Sequence, residues 1–137
     1  MMIFSQVNIS KMSSHSEVAL QKFINDQNIS LIALQETGKW KPTDGFFIDK
    51  QIIQNKCIND QMGVAIIADK NLSPEHLDNI EDDSVDAVWC QLKLRNKRVI
   101  VGSVYTKPSY STDGLKRLLE HIKEVQLYGV AHKFNSL

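Results

Sequence analysis

Hydrophobic and polar positions change rhythm several times along this chain, and each change marks an element. Ile3–Ile9 is an apolar, strand-like run. A helical segment follows, with apolar positions that include Val18, Leu20, Phe23 and Ile24. Ser13 or Ser14 can cap it, and Glu17 lies three residues after Ser14, a capping-box spacing. The polar cluster Asn25–Asn28 should end it. Ile29–Leu34 then reads Ile, Ser, Leu, Ile, Ala, Leu, a nearly unbroken apolar stretch that suits a parallel strand covered on both faces. A strand–helix–strand unit with parallel strands is right-handed in nearly all cases. Asn8 and Glu36, at the carboxyl ends of the two runs, are therefore expected at one edge of one sheet.

The remaining pattern predicts a mixed α/β fold. Trp40–Gly45 reads as a loop, Phe46–Ile53 as a strand and Asn55–Gln61 as a polar turn. Met62–Ala68 looks like a buried strand. Asn71–Asp86 is polar and acidic, with a short helical turn expected after Ser73-Pro74. Val85–Leu94 and Arg98–Tyr105 form the clearest hairpin, turning at Arg95-Asn96-Lys97. Pro108 stops the second strand. Thr112 or Asp113 can cap a final helix carrying Leu115, Leu118, Leu119, Ile122 and Val125. After Val125 no clear period is visible, and the ending reads as a chain cut inside a domain.

Composition narrows the picture only modestly. The 137 residues suffice for one ordinary domain and one core. No apolar run approaches the roughly 20 residues that span a bilayer, and no signal peptide is visible, so an intracellular protein is expected. Cys57 and Cys90 match neither a zinc spacing nor a disulfide framework and read as reduced thiols. Lysine plus arginine equals aspartate plus glutamate, so nucleic-acid binding would need a local patch.

Against that background the candidate chemistry is sparse. Carboxyl ends of strands are where open α/β sheets bind ligands. A carboxylate beside an amide there is a plausible seat for a hard divalent cation. For Glu36 the default is a solvated strand end, and for Asn8 a turn closed on its own backbone. Tyr105 is a third polar group at a third strand end. Packing is its default role, although its hydroxyl could donate to a phosphate oxygen. Glu81, Asp82, Asp83 and Asp86 lack the glycine and distal glutamate of a calcium loop and read as a solvated loop. Lys93, Arg95, Lys97 and Arg98 read as a soluble hairpin tip, and Trp40 and Trp89 as packing residues. His15, His76, His121 and His132 are scattered and are assigned to neither metal nor catalysis.

Four of these stretches together resemble the endonuclease/exonuclease/phosphatase superfamily, most nearly the apurinic-type endonuclease domain of non-LTR retrotransposons. Gln6-Val7-Asn8-Ile9 resembles its first strand, ending in asparagine. Leu31-Ile32-Ala33-Leu34-Gln35-Glu36-Thr37 resembles its "LQE" strand, and this is the most specific match. Gly63-Val64-Ala65-Ile66-Ile67 resembles its "GVAI" strand. Val101–Tyr105 with Pro108-Ser109 resembles its "vYxxPs" segment.

The resemblance implies a DNase-I-like four-layer α/β sandwich, two sheets face to face between helices. It implies magnesium-dependent phosphodiester hydrolysis of DNA, manganese being a possible substitute. Glu36 would hold the metal, Asn8 would position metal or phosphate, and Tyr105 would contact the scissile phosphate. A reverse transcriptase domain would follow in an intact parent, and a retroelement origin would place the protein in the nucleus. The family's GDFN segment, a later aspartate and the C-terminal SDH segment with its histidine base are all missing. His132-Lys133-Phe134-Asn135 echoes GDFN with Lys133 where the aspartate belongs.

Residues 1–137 thus read as the N-terminal part of one domain, stopping before GDFN and SDH. Such a part should lack most catalysis and leave the inner face of its sheet uncovered. Two alternatives are a phosphatase of the same superfamily acting on a phospholipid or small molecule, and a non-catalytic remnant that binds through the bare face.

Overall fold

The computed structural model describes residues 2–55, 62–82, 84–106 and 112–135, the last stretch without side chains beyond Gly129. Strand β1 (Phe4–Asn8), helix α1 (Ser14–Asp26) and strand β2 (Leu31–Gln35) form the expected parallel unit. The register runs from Phe4 opposite Leu31 to Asn8 opposite Gln35. Ser13 is the N-cap, and its box partner is Ser16, not Glu17: Ser13 Oγ accepts from Ser16 N at 3.1 Å, and Ser16 Oγ accepts from Ser13 N at 2.6 Å. That exchange leaves Glu17 on the inner face of α1, buried. Every residue of β2 is buried, as an apolar strand covered on both faces requires.

Strands β3 (Lys50–Gln54) and β4 (Val64–Asp69) complete a first sheet in the order β1-β2-β4-β3. The strand expected from Phe46 begins only at Lys50. Phe47 has left-handed backbone (φ 55°) and packs edge-on to Trp40, ring centroids 6.2 Å apart. An aromatic pair tucked beneath α1 thus overrides the strand preference of Phe46-Phe47-Ile48. Most of the turn expected at Asn55–Gln61 lies outside the described residues, as do Cys57 and Pro108.

The second sheet contains β5 (Glu75–His76), β6 (Asp86–Leu94) and β7 (Lys97–Tyr105), in that order. The hairpin is the one expected, closed by Arg95-Asn96 with Leu94 opposite Lys97. Its basic tip is exposed. The short helical turn expected after Ser73-Pro74 does not start at Pro74 but lies further on, a 3-10 turn over Asp78–Ile80. Instead Glu75–His76 pairs with Gln91 and Cys90 of β6, and Leu77 N donates to Trp89 O at 3.0 Å. An edge of β6 supplies backbone partners that a solvated helical turn there would forgo.

Helix α2 spans Thr112–Asn135, 24 residues, so the tail expected to be aperiodic continues the helix. No proline interrupts it, and propagation from an established helix is favourable even where the apolar pattern fades. His132–Asn135, the echo of GDFN, lies inside this helix.

Three cores separate four layers. Leu20, Ile24 and Trp40 pack against Ile32, Leu34 and Ile67 on the α1 side of the first sheet. Leu31, Ile53, Val64, Ile66 and Ala68 meet Val88, Cys90 and Leu92 between the sheets. Leu118 and Val125 of α2 meet Leu77, Val85, Ala87 and Trp89 on the outer side of the second sheet. The inner face of the first sheet, expected to be bare, is therefore covered by β6 and β7. The hairpin that reads as peripheral in the sequence is the partner sheet. Burial pushes the Cys90 thiol there up to about 12, so it stays protonated and inert. Among the described residues, no helix is long and apolar enough to cross a membrane.

Candidate active site

The polypeptides leaving β1 and β2 stay together past the sheet edge. Ile9 N donates to Gln35 O at 2.9 Å, Lys11 N to Glu36 O at 2.6 Å and Met12 N to Thr37 O at 3.3 Å. Residues 8 and 36 therefore emerge at the same end, as the parallel reading requires. Asn8 is exposed, and its Oδ1 accepts from Ser10 N at 3.0 Å and Ser10 Oγ at 3.3 Å. The local-turn role expected by default is thus present at the rim.

Glu36 breaks from its strand. Gln35 points between the sheets, where its Nε2 donates to Ser103 Oγ at 3.1 Å and Ser103 Oγ donates to Leu34 O at 2.8 Å. Glu36 then takes left-handed backbone, φ 55°, a conformation disfavoured for any residue with a Cβ. The half-buried side chain meets Tyr105, the last residue of β7, whose hydroxyl donates to Glu36 Oε1. One hydrogen bond thus joins the strand ends of the two sheets. The Tyr105 ring packs against the core between the sheets, so packing and polar contact coexist in one side chain.

Beneath this rim lies a residue that the sequence pattern hid. Asp86 belongs to an acidic group that reads as a solvated loop, yet it is 3% exposed. Its Oδ1 accepts from Asn55 Nδ2 at 2.7 Å and its Oδ2 from Gly63 N at 3.0 Å. Gly63 has φ 101°, and a Cβ there would lie 2.5 Å from Thr37 Oγ1, so no larger residue fits. Gly63 O and Met62 O in turn accept from Thr37 N and Gly38 N at 3.0 and 2.7 Å. Asp86 thereby fixes the segment that holds the exit from Glu36. The hairpin register could have revealed it, because Asp86 stands directly opposite Tyr105. Its neighbours are occupied too: Asp82 pairs with Arg117, and Glu81 with His76. Asp83 lies outside the described residues.

The far side of the same loop is tied to α1. Glu17 Oε2 accepts from Trp40 Nε1 at 2.7 Å and Thr43 N at 3.0 Å, and Oε1 accepts from the Thr43 hydroxyl. Burial pushes the Glu17 carboxyl up, but hydrogen bonds from Thr43 and Trp40 outweigh it and leave the group below the usual carboxylate range.

The described side chains at the rim, Asn8, Glu36 and Tyr105, each offer an oxygen, a set that suits a hard divalent cation retaining most of its water. No cluster of three or more histidine, cysteine or acidic side chains suited to a metal exists among the described residues. Among the described residues at this rim, Glu36 supplies the carboxylate.

Two facing sheets between helices, with polar residues on neighbouring strand ends, define a DNase-I-like α/β sandwich. The solved structures it resembles include the endonuclease domain of TRAS1, a telomere-specific non-LTR retrotransposon, at 19% identity and a TM-score of 0.65 over 88% of this chain. They also include AP endonuclease LMAP from Leishmania major, at 15% identity and a TM-score of 0.56 over 86% of this chain. This chain spans 51% of the first and 43% of the second, about half of each. No protein-family model and no curated protein matches the sequence.

Proposed function

We propose that this chain forms the amino-terminal part of a DNA-cleaving, magnesium-dependent nuclease site. The observation that carries the reading is the Tyr105–Glu36 hydrogen bond, which joins two strand ends beside Asn8 at one rim. Both fold neighbours named above are endonucleases, which favours DNA over a phospholipid as substrate. Glu36 would hold Mg2+ or Mn2+, joined by the amide oxygen of Asn8 once that oxygen turns from Ser10. The ion would supply charge neutralisation at the phosphoryl oxygens and the leaving group.

The chain's own residues do the positioning. Tyr105 holds the Glu36 carboxylate at the rim, and because a phenol has one proton it would contact a phosphate oxygen by turning that proton away from Glu36. Asp86 and Glu17 hold the loop on either side. A histidine base and the GDFN aspartate have no counterpart in the sequence. Cleavage by these 137 residues alone is therefore expected to be weak or nil.

Manganese binding followed by electron paramagnetic resonance tests the site directly. The wild-type chain should bind one ion that Glu36→Gln loses and that Mg2+ displaces. Equal binding by wild type and Glu36→Gln would remove the proposal. Magnesium-dependent plasmid nicking that is lost in Glu36→Ala would keep the site and overturn the expected inactivity.

A further inference from the structure

Trp89 and His121 form a buried contact that the proposed nuclease chemistry does not use. Trp89 of β6 lies opposite Gly102 of β7, and its ring fills the space of the missing side chain: a Cβ at 102 would sit 2.1 Å from Trp89 Cζ3. The indole Nε1 donates to His121 Nε2 of α2 at 2.9 Å. His121 is 0% exposed. A ring nitrogen that accepts from an indole carries no proton, so this imidazole is the neutral form with its hydrogen on Nδ1. Nδ1 has no hydrogen-bond partner, and Glu124 Oε2 stands 3.8 Å away.

Several charged groups face this ring. Glu124 and Arg117 come from α2 itself, and Glu81 from the segment before β6. Arg117 is engaged by Asp82, and Glu81 by His76. Burial acts most strongly against the imidazolium, and Arg117 adds to it. Glu124 and Glu81 oppose, and the net result lies below the usual histidine range.

We propose that His121 and Trp89 form an acid-sensitive latch that docks α2 onto the second sheet. A proton taken from solvent forms a new Nε2–H bond and withdraws the lone pair that the Trp89 indole uses. Two N–H donors then face each other where one hydrogen bond stood, and the helix must move away. Because the ring's affinity for protons is lower when docked, docking is complete above the ordinary histidine range and weakens as pH falls through it. The loosening is local. Neither the core beneath α1 nor the core between the sheets contains a residue of α2.

Hydrogen exchange of the whole chain from about pH 7.5 to about pH 5, corrected for intrinsic rates, tests this latch. Amides from Leu118 to Tyr128 should lose protection by up to about tenfold per pH unit, the slope of one proton taken up. Amides of β2 and β4 should not change. His121→Gln offers an oxygen to the indole and does not titrate, so the pH step should vanish in it. A step that persists in His121→Gln, or loss of protection shared equally by α2 and both sheets, would overturn the latch. Should that variant not fold, titration of the wild-type histidine Cε1–H resonances decides. His121 must protonate below the ordinary histidine range, and protonation within or above that range would also overturn the proposal.

Discussion

Left-handed backbone costs an ordinary residue about 1–2 kcal/mol, and Glu36 occupies it at the rim where the strand ends meet. Strain of this kind is retained where a side chain must be aimed. The strain can be separated from the chemistry by comparing two variants that both lack the carboxylate. Glu36→Gly should be more stable than Glu36→Ala by about 1 kcal/mol in urea denaturation. Neither should bind manganese. Equal stability of the two would mean that the backbone there is relaxed. Asp86 is a different case, because its buried carboxylate accepts from Asn55 and Gly63, both distant in sequence. Asp86→Ala should cost roughly 2–4 kcal/mol, since Gly63 N and the Asn55 amide lose that acceptor. A cost under about 0.5 kcal/mol, the range of neutral surface changes, would show the network to be dispensable.

At the scale of elements, α1 and the loop behind Glu36 are joined through Glu17. Its carboxyl is held below the usual range by the Thr43 and Trp40 hydrogen bonds, against the upward push of burial. A depressed carboxyl contributes stability above its unfolded value and loses it as pH falls through the folded one. Urea midpoints measured from neutral to acid should therefore fall for wild type, and Glu17→Gln should flatten part of that acid limb while being less stable near neutrality. An identical acid limb in both proteins would mean that Glu17 contributes no such linkage.

Ile29–Leu34 reads correctly as a parallel strand because burial on both faces leaves an unbroken apolar run. Asn8 and Glu36 follow from it, since parallel pairing alone places their strand ends together. Phe46–Asp49 misleads because its aromatics serve a turn under α1, which no local preference encodes. Gln126–Asn135 misleads in the other direction, since its helix is sustained by continuity with Thr112–Val125 and not by its own period. Asp86 and Glu17 are invisible for a third reason. Each carboxylate is buried by partners distant in sequence, and a solvated acidic residue looks the same on the page.

On the scale of the molecule, the sheets are offset. β7 lies across β2 and β4, and β6 across β4 and β3. The outer edges of β1 and β7 therefore fall on one flank, and no described strand pairs with either. β7 brings a nine-residue edge rich in β-branched residues, a form that soluble proteins usually protect. Hydrogen exchange should find the outward-facing amides of β7 far less protected than those of β6, while light scattering should show self-association that grows with concentration. A strictly monomeric protein with equal protection of both strands would show that this flank is closed by other means.

The hydroxyl of Tyr105 grips a carboxylate that belongs to the opposite layer. A one-residue slip of β7 against β6 would turn Tyr105 away from Glu36, because neighbouring side chains point to opposite faces. The metal affinity proposed for Glu36 would thus act as a gauge of alignment: a substitution deep between the sheets, many residues from the rim, could silence the site without touching it.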